Sequence, residues 1–445
     1  MRLLSAFFVF ALILAPPIRS QTAPASIPRP DPRYKADILL IIAHPDDDTA
    51  VSAYLAKVIE QQHKRVSVVF GTRGNSGGNA VGQEQAATLA DIREMEARHS
   101  LASLGINDVW FLHGYDTPDE DVLHSLETWG HGETLERVVR LIRLTRPEVV
   151  FTWLPDYVVG ENHDDHQASA VIATEAFDLA GNPLAFPEQI EAPQRPQTYG
   201  NYGEGLRPWQ PKKLYYFTDA THFEFLKGSG PEYPTGDISP SRKIPYAQIE
   251  ADAWHIYKTQ LDMSEAEIKA SSEMPLTLIL AKSLVGGTRT GDVFEAITPG
   301  PIPYARARGY EAPPPGLAFE LGGPWAFYQQ FWKAHNIEHL ANLYAPEAQV
   351  RPGDRLWVPL LIRNDTDSPR QVSVRPELPE GWQQKPDTTA FMVAAHDSFP
   401  IQLTLTPPKI AKDTWQTLTW SAESDGKVIG TAKLRAFVVG SGSGQ

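Results

Sequence analysis

Six apolar residues in unbroken succession, Ile38 to Ala43, run directly into His44-Pro45-Asp46-Asp47-Asp48, and helical spacing follows at once through Val51, Tyr54, Leu55 and Val58. No other stretch restricts the fold as tightly. A continuous apolar run of this length reads as a strand buried on both faces, and such strands belong to parallel sheets covered by helices. The alternation then repeats: a strand over 65–70, the Gly-rich loop GTRGNSGGNAVG, a helix over 84–104 ending at Gly105, a strand over 108–112, a helix over 135–144, a strand over 148–153, a helix over 167–179 and a strand in KKLYYF at 212–217. The pattern predicts an α/β architecture, a Rossmann-like, mostly parallel sheet flanked by helices.

At 445 residues the chain is longer than one hydrophobic core usually organises. Its first twenty residues carry Arg2, an apolar stretch from Leu3 to Ala15 and the pair Pro16-Pro17. They read as a signal peptide, with a retained anchor as the alternative, and the protein is expected to be secreted or periplasmic. Residues 21–35 form a flexible lead-in, 36–297 the α/β domain and 298–345 a helical connector, with helices expected over 246–271 and 324–344. From about 346 to 440 the text becomes short alternating segments, among them RLWVPLLIRND, RQVSVRPE, FPIQLTLTP, QTLTWSAES and VIGTAKLRAFVV, separated by Pro, Gly and Asp. These describe an all-β, antiparallel sandwich, followed by a flexible tail at 441–445. The sandwich segment resembles Ig-like modules appended to secreted glycan-processing enzymes.

Composition narrows the chemistry. A formal net charge of -14 provides no excess of cations for phosphates, so nucleic acid is not an expected partner. With no cysteine in the chain, a metal site has only His, Asp and Glu to draw on.

In an open parallel sheet, ligands collect beyond the carboxyl ends of the strands. His44, Asp46, Asp47 and Asp48 fall at such a place. Three adjacent carboxylates repel one another and call for a counter-charge, and His44 and Asp47 are spaced to converge on one cation through a tight turn. One of the acids, Asp48, is open to a second reading as the N-cap of the following helix. A second cluster, His163-Asp164-Asp165-His166, follows the fourth strand and offers the third ligand of a tetrahedral site with one open position. Taken alone, that cluster also reads as a solvated loop.

AHPDDD resembles the A-H-P-D-D-E motif of the LmbE-like or PIG-L family of zinc-dependent N-acetylglucosaminyl deacetylases, and HDDH resembles the later H-P-D-H of that family. Thr72 and Gly74 sit where the family has T-x-G, LADIREMEARHSLASLG resembles its R-x-x-E helix, and LYYF and YKTQ echo later segments. The resemblance spans about 36–297. It implies His44, Asp47 and His166 as zinc ligands, Asp46 as general base, and Arg93 and Asp116 as contacts for an N-acylated amino-sugar substrate. His163 is implied either as an imidazolium facing the oxyanion or as a residue orienting His166. Arg93 also reads as a helix-surface partner of Glu96. Asp48 stands for the usual Glu, Asp164 for Pro, Gln167 for Arg and Asn75 for a frequent Glu. Iron(II), cobalt and nickel suit the same donors as zinc. An amidase acting on non-sugar or glycopeptide amides and a non-catalytic glycan-binding protein are the competing functions. The remaining histidines read as structural, with His113 set apart by its place at a strand end.

Overall fold

The structure, a computed structural model, describes residues 29–117, 121–160, 162–190, 204–260, 274–351 and 353–442, together with 264, 266 and 269. The expected signal peptide, most of the lead-in, the end of the tail and most of 261–271 lie outside these residues; the helix expected over 246–271 is shorter than the sequence suggests, ending at Trp254.

Five parallel strands build the first domain: β1 (Ile38–Ile42), β2 (Val66–Thr72), β3 (Asp108–Gly114), β4 (Val149–Trp153) and β5 (Lys213–Phe217). Every residue of β1 is buried, and side-chain alternation sends Leu39 and Ile41 into one core and Ile38, Leu40 and Ile42 into the other. Burying each such side chain contributes about 1.5–3 kcal/mol, so the strand is fixed between two helical layers. Helices α1 (Thr49–Gln62), α2 (Ala86–Ser103), α3 (Val122–Thr128), α4 (His131–Thr145), α5 (Asp164–Leu179) and α6 (Tyr246–Trp254) supply much of those layers. A short pair, β6 (Glu232–Pro234) and β7 (Pro275–Thr277), lies to the side, and β8 (Ile279–Ser283) closes the main sheet antiparallel to β5.

The sheet order is β3-β2-β1-β4-β5-β8. Chain direction across the sheet reverses between β1 and β4, and the crevice beyond their carboxyl ends is where this topology binds ligands. Both motifs open there, one after β1 and one after β4.

The second domain packs a five-stranded sheet, β10-β17-β16-β12-β14, on a four-stranded one, β13-β15-β11-β9, around a core that includes Trp420, Val358, Leu360 and Leu434. Its strands are β9 (Leu317–Leu321), β10 (Glu347–Val350), β11 (Leu356–Asn364), β12 (Arg370–Glu377), β13 (Gln383–Lys385), β14 (Ala390–Val393), β15 (Asp397–Thr406), β16 (Thr414–Ser424) and β17 (Lys427–Val438). The five segments expected from the sequence are β11, β12, β15, β16 and β17. Two expectations need correcting. The connector is not wholly helical: β9 lies within it and pairs with β11, because Phe319 and Leu321 complete the sandwich core. The sandwich is not wholly antiparallel either, since β10 runs parallel to β17. The connector helix α7 (Pro324–Ala334) is shorter than the sequence suggests, and a 3-10 turn over Glu338–Asn342 follows it.

Among the described residues no helix is long and apolar enough to cross a membrane. Trp420 is wholly buried, so Trp420→Ala is expected to lower the unfolding free energy of the sandwich by about 3–5 kcal/mol, read from denaturant unfolding followed by circular dichroism.

Candidate metal centre

The centre is organised by the Asp47 carboxylate. Its Oδ2 accepts three N–H bonds, from Ala43 (2.8 Å), His44 (3.0 Å) and the Trp153 indole (2.7 Å). Its Oδ1 faces two imidazoles, with His166 Nε2 at 3.1 Å and His44 Nδ1 at 3.6 Å. Burial alone would raise this carboxyl, yet His166 and His44 hold it well below the usual carboxylate range. The group is a fixed anion shared by the ends of β1 and β4.

His44 presents its other nitrogen, Nε2, to Asp165 Oδ2 at 3.1 Å. An imidazole held through Nε2 by a carboxylate, with Nδ1 turned to the centre, has the arrangement that orients metal-binding imidazoles. Burial pushes the His44 pKa down, but hydrogen bonds to Asp165 and Asp47 and the charges of Asp47 and Asp116 together hold it well above its ordinary value. The same carboxylates favour any positive charge at this point. His166 behaves oppositely: burial first, with Asp47 pulling against it and the other two histidines adding to it, lowers it to about 4. It is therefore a neutral donor at neutral pH. Its ring stacks on Trp153 with centroids 4.2 Å apart, and its Nδ1 is buried without a hydrogen-bond partner.

Asp46 lies between His44 and Asp47 on the turn. Its φ of 111° places it in left-handed backbone, at a cost of about 1–3 kcal/mol for a non-glycine residue. Thr49 holds the turn by donating its N–H (2.9 Å) and its hydroxyl (2.6 Å) to the Asp46 carbonyl. Burial, and then the neighbouring Asp47, push the Asp46 carboxyl well above its ordinary range.

His163 occupies the N-cap position of α5 without a side-chain capping bond and is half-exposed, with Nδ1 3.1 Å from Asp164 Oδ1 and its ring centroid 4.1 Å from that of His166. Asp116 accepts the Ser76 N–H at 2.9 Å through Oδ2, while its Oδ1 is buried without a hydrogen-bond partner 4.0 Å from His44 Nε2. Three groupings bring their candidate ligand atoms within 4.8 Å of one another: His44 with His163 and His166, His44 with Asp116 and Asp165, and His163 with Asp164 and Asp165. The two sequence clusters thus form one polar centre, into which Asp116 also enters.

Three readings from the sequence are corrected. Arg93 is 4% exposed, and its guanidinium donates to Gly74 O (2.8 Å), Gly78 O (2.7 Å), Gln260 Oε1 (2.9 Å) and Thr259 Oγ1 (3.3 Å). A Cβ on Gly74 or Gly77 would collide with it, so the glycine loop is wrapped around this side chain. Arg93 anchors the loop and is not open to a substrate. Nor does it pair with Glu96, whose carboxylate accepts from the Thr259 N–H and hydroxyl at 3.0 and 2.6 Å. Asp48 does not cap α1 through its side chain. Its carboxyl is fully buried against the Tyr257 hydroxyl, and burial raises it to about 7.

Trp153, Thr117, Ser125, Tyr257 and Gln260 carry contacts that the sequence reading did not assign. Thr117 donates its N–H to Asp165 (2.8 Å), and its hydroxyl lies 2.7 Å from Asp165 Oδ1 and 2.5 Å from Asp164 Oδ2. Gln260 donates to the Pro45 carbonyl at 3.0 Å. Trp153 was within reach of sequence reasoning, because it ends the strand that precedes the second motif. His113 is exposed, with left-handed backbone at φ 67°.

Residues 39–177 match the family described as PIG-L: GlcNAc-PI de-N-acetylase. The chain carries a PIG-L (LmbE-like) deacetylase domain. The 1D-myo-inositol 2-acetamido-2-deoxy-alpha-D-glucopyranoside deacetylase of Streptomyces scabiei is 25% identical to it over 326 residues, which cover 62% of this chain and 94% of the relative. An enzyme of the same description from Catenulispora acidiphila is 28% identical over 177 residues, 36% of this chain and 54% of the relative. Among solved structures, N,N'-diacetylchitobiose deacetylase from Pyrococcus horikoshii aligns with 18% identity and a TM-score of 0.36 over 53% of this chain and 73% of that one. A conserved protein from Thermus thermophilus aligns with 18% identity and a TM-score of 0.38 over 57% of this chain and 97% of that one.

The loop of the PIG-L domain that leads from β4 to His163 contains a further titrating group. Burial raises the Asp156 carboxyl to about 7, with the Tyr157 N–H and the Tyr344 hydroxyl pulling it down and the Glu347 charge pushing it up. Between roughly pH 4 and 7 the folded protein keeps a proton here that the unfolded chain has lost. The stability contributed by this group is therefore complete below about pH 4 and lost as pH rises through 7. Asp156→Asn is expected to flatten that decline in urea midpoints measured from about pH 4 to 8.

Proposed function

We propose that this protein is a metal-dependent deacetylase that hydrolyses the acetamide of an N-acetylglucosamine-type amino sugar or glycoconjugate. The observation that carries the proposal is the convergence of Asp47 Oδ1, His44 Nδ1 and His166 Nε2 beside Asp46, a carboxyl on the same turn that the cluster does not need as a ligand. The family match and the deacetylases among its relatives support the same reading.

His44, Asp47 and His166 would hold the metal, for which zinc suits the donor set. Asp47 is preferred to His163 as the third ligand because its Oδ2 is already fixed by three N–H groups, whereas His163 is half-exposed and turned to Asp164. When bound, such an ion supplies a Lewis acid that polarises the amide carbonyl and acidifies water.

Asp46 takes the proton from the attacking water and returns it to the departing amine. Its place on the turn between His44 and Asp47 puts the carboxyl beside the proposed ion, where it can take up and give back a proton. His163, beside His166 and paired with Asp164, presents an N–H to the oxygen on which negative charge develops. Asp116, with one oxygen unpaired toward the centre, accepts a hydroxyl of the sugar. The leader-like first twenty residues support a secreted or periplasmic site of action, and so point to external glycans as substrates.

Acetate release from N-acetylglucosamine oligomers and from an N-acetylglucosaminyl-inositol is the direct assay. Asp46→Asn is expected to lower kcat by about 10²–10⁴-fold while the bound metal stays stoichiometric. Chelation is expected to abolish turnover and added zinc to restore it. Absence of acetate from every acetamido sugar, with metal bound, would overturn the proposal.

A further inference from the structure

Residues 154–160, 162 and 163, which lie between β4 and α5, lead into the helix that carries His166. They are held largely from outside their own motif. The buried carboxylate of Glu347, first residue of β10, divides its two oxygens between the domains. Oε1 accepts from Arg435 of β17 at 3.0 Å, and that guanidinium also lies 4.2 Å from the Trp415 ring centroid. Oε2 turns to the PIG-L domain, accepting the Val159 N–H at 3.2 Å and meeting His222 Nε2 at 2.9 Å.

The next residues leave little freedom. The Val159 carbonyl accepts the Thr221 N–H at 2.7 Å, and a Cβ on Gly160 would lie 2.8 Å from the Asp219 carbonyl oxygen. Asn162 donates to the carbonyls of Leu154 (2.9 Å) and Asp156 (2.6 Å), closing the loop on itself. Its own carbonyl accepts from Gln167 Nε2 at 2.9 Å, and Gln167 Oε1 accepts the hydroxyl of Tyr328, on connector helix α7, at 2.8 Å. Tyr328 and Gln167 are both buried. Gln167 is thus tied to an element outside residues 39–177.

We propose that the C-terminal half of the chain is a working part of the metal centre: Glu347 and Tyr328 are positioning residues that fix the loop presenting His163 and His166. A buried carboxylate satisfied by two elements of one domain and one of the other loses its balance if either side moves, so the sandwich and the loop are held in register. The sandwich thereby gains a role that sugar binding on its surface would not require. The inference rests on the proposed metal-dependent function only for its catalytic consequence; the loop coupling stands apart from it.

Two measurements on the full chain test the proposal without substrate. The first is amide hydrogen exchange over 155–163, and the second is the visible absorption of cobalt(II) bound to the protein, which reports ligand geometry. Glu347→Ala is expected to speed exchange of that segment about tenfold or more and to alter the cobalt(II) bands. Glu347→Asp is expected to restore both in part, and Tyr328→Phe to produce a smaller change of the same kind. Trp357→Ala, an exposed position on the sandwich, is expected to change neither. Should Glu347→Ala fail to fold, Glu347→Gln takes its place. Unchanged exchange overturns the proposal, and so does faster exchange with a wild-type cobalt(II) spectrum, which would reduce Glu347 to a joint between domains. The deacetylase reading fails on a different result, the absence of acetate release by the wild-type protein.

Discussion

The structure depends on one buried carboxylate held between two strand ends. Asp47 can remain ionised in a buried crevice only because Ala43, His44 and Trp153 each give it an N–H and two imidazoles face its other oxygen. Each of those donors would otherwise be a buried polar group without a partner, at about 1–3 kcal/mol apiece. The interaction ties the turn after β1 to the end of β4 across the point where the sheet order reverses. The β1 and β4 loops must therefore meet at this place, and Asp46 is carried into left-handed backbone beside them.

Much of this could be read from the chain in advance because it is local. The apolar run Ile38–Ala43, the helical spacing after Asp48 and the repetition of that unit specify buried parallel strands. The motifs after the first and fourth strands specify which loops meet. The partners of the ambiguous residues could not be read, because they come from far along the chain. Tyr257, which takes Asp48, is 209 positions away, and Thr259 and Gln260, which hold Arg93, are 166 and 167 away. Sequence spacing indicates an N-cap for the first and a helix-surface pair for the second, and tertiary contacts override both. The strand β9 escaped notice because five residues of modest alternation inside a Pro-rich connector take their meaning from pairing with β11.

The positions where this chain departs from the family motif share a pattern. Asp48 in place of Glu meets the Tyr257 hydroxyl, Asp164 in place of Pro meets Ser125 and Thr117, and Gln167 in place of Arg meets Tyr328. These positions lie around the centre, outside the residues assigned to the metal and the attacking water, and each makes a contact with another element. They tie the centre to surrounding structure, including the connector helix.

The central claim is that His44, Asp47 and His166 hold one ion, and not His163 with Asp164 and Asp165 or His44 with Asp116 and Asp165, which are close enough to compete. Anomalous X-ray diffraction recorded at the zinc edge from crystals grown with zinc tests it most directly. The account predicts one peak per chain within about 2.0–2.2 Å of His44 Nδ1, Asp47 Oδ1 and His166 Nε2, with no bond to Asp46. A peak bound instead by Asp116 and Asp165, or by Asp164 and His163, would contradict it.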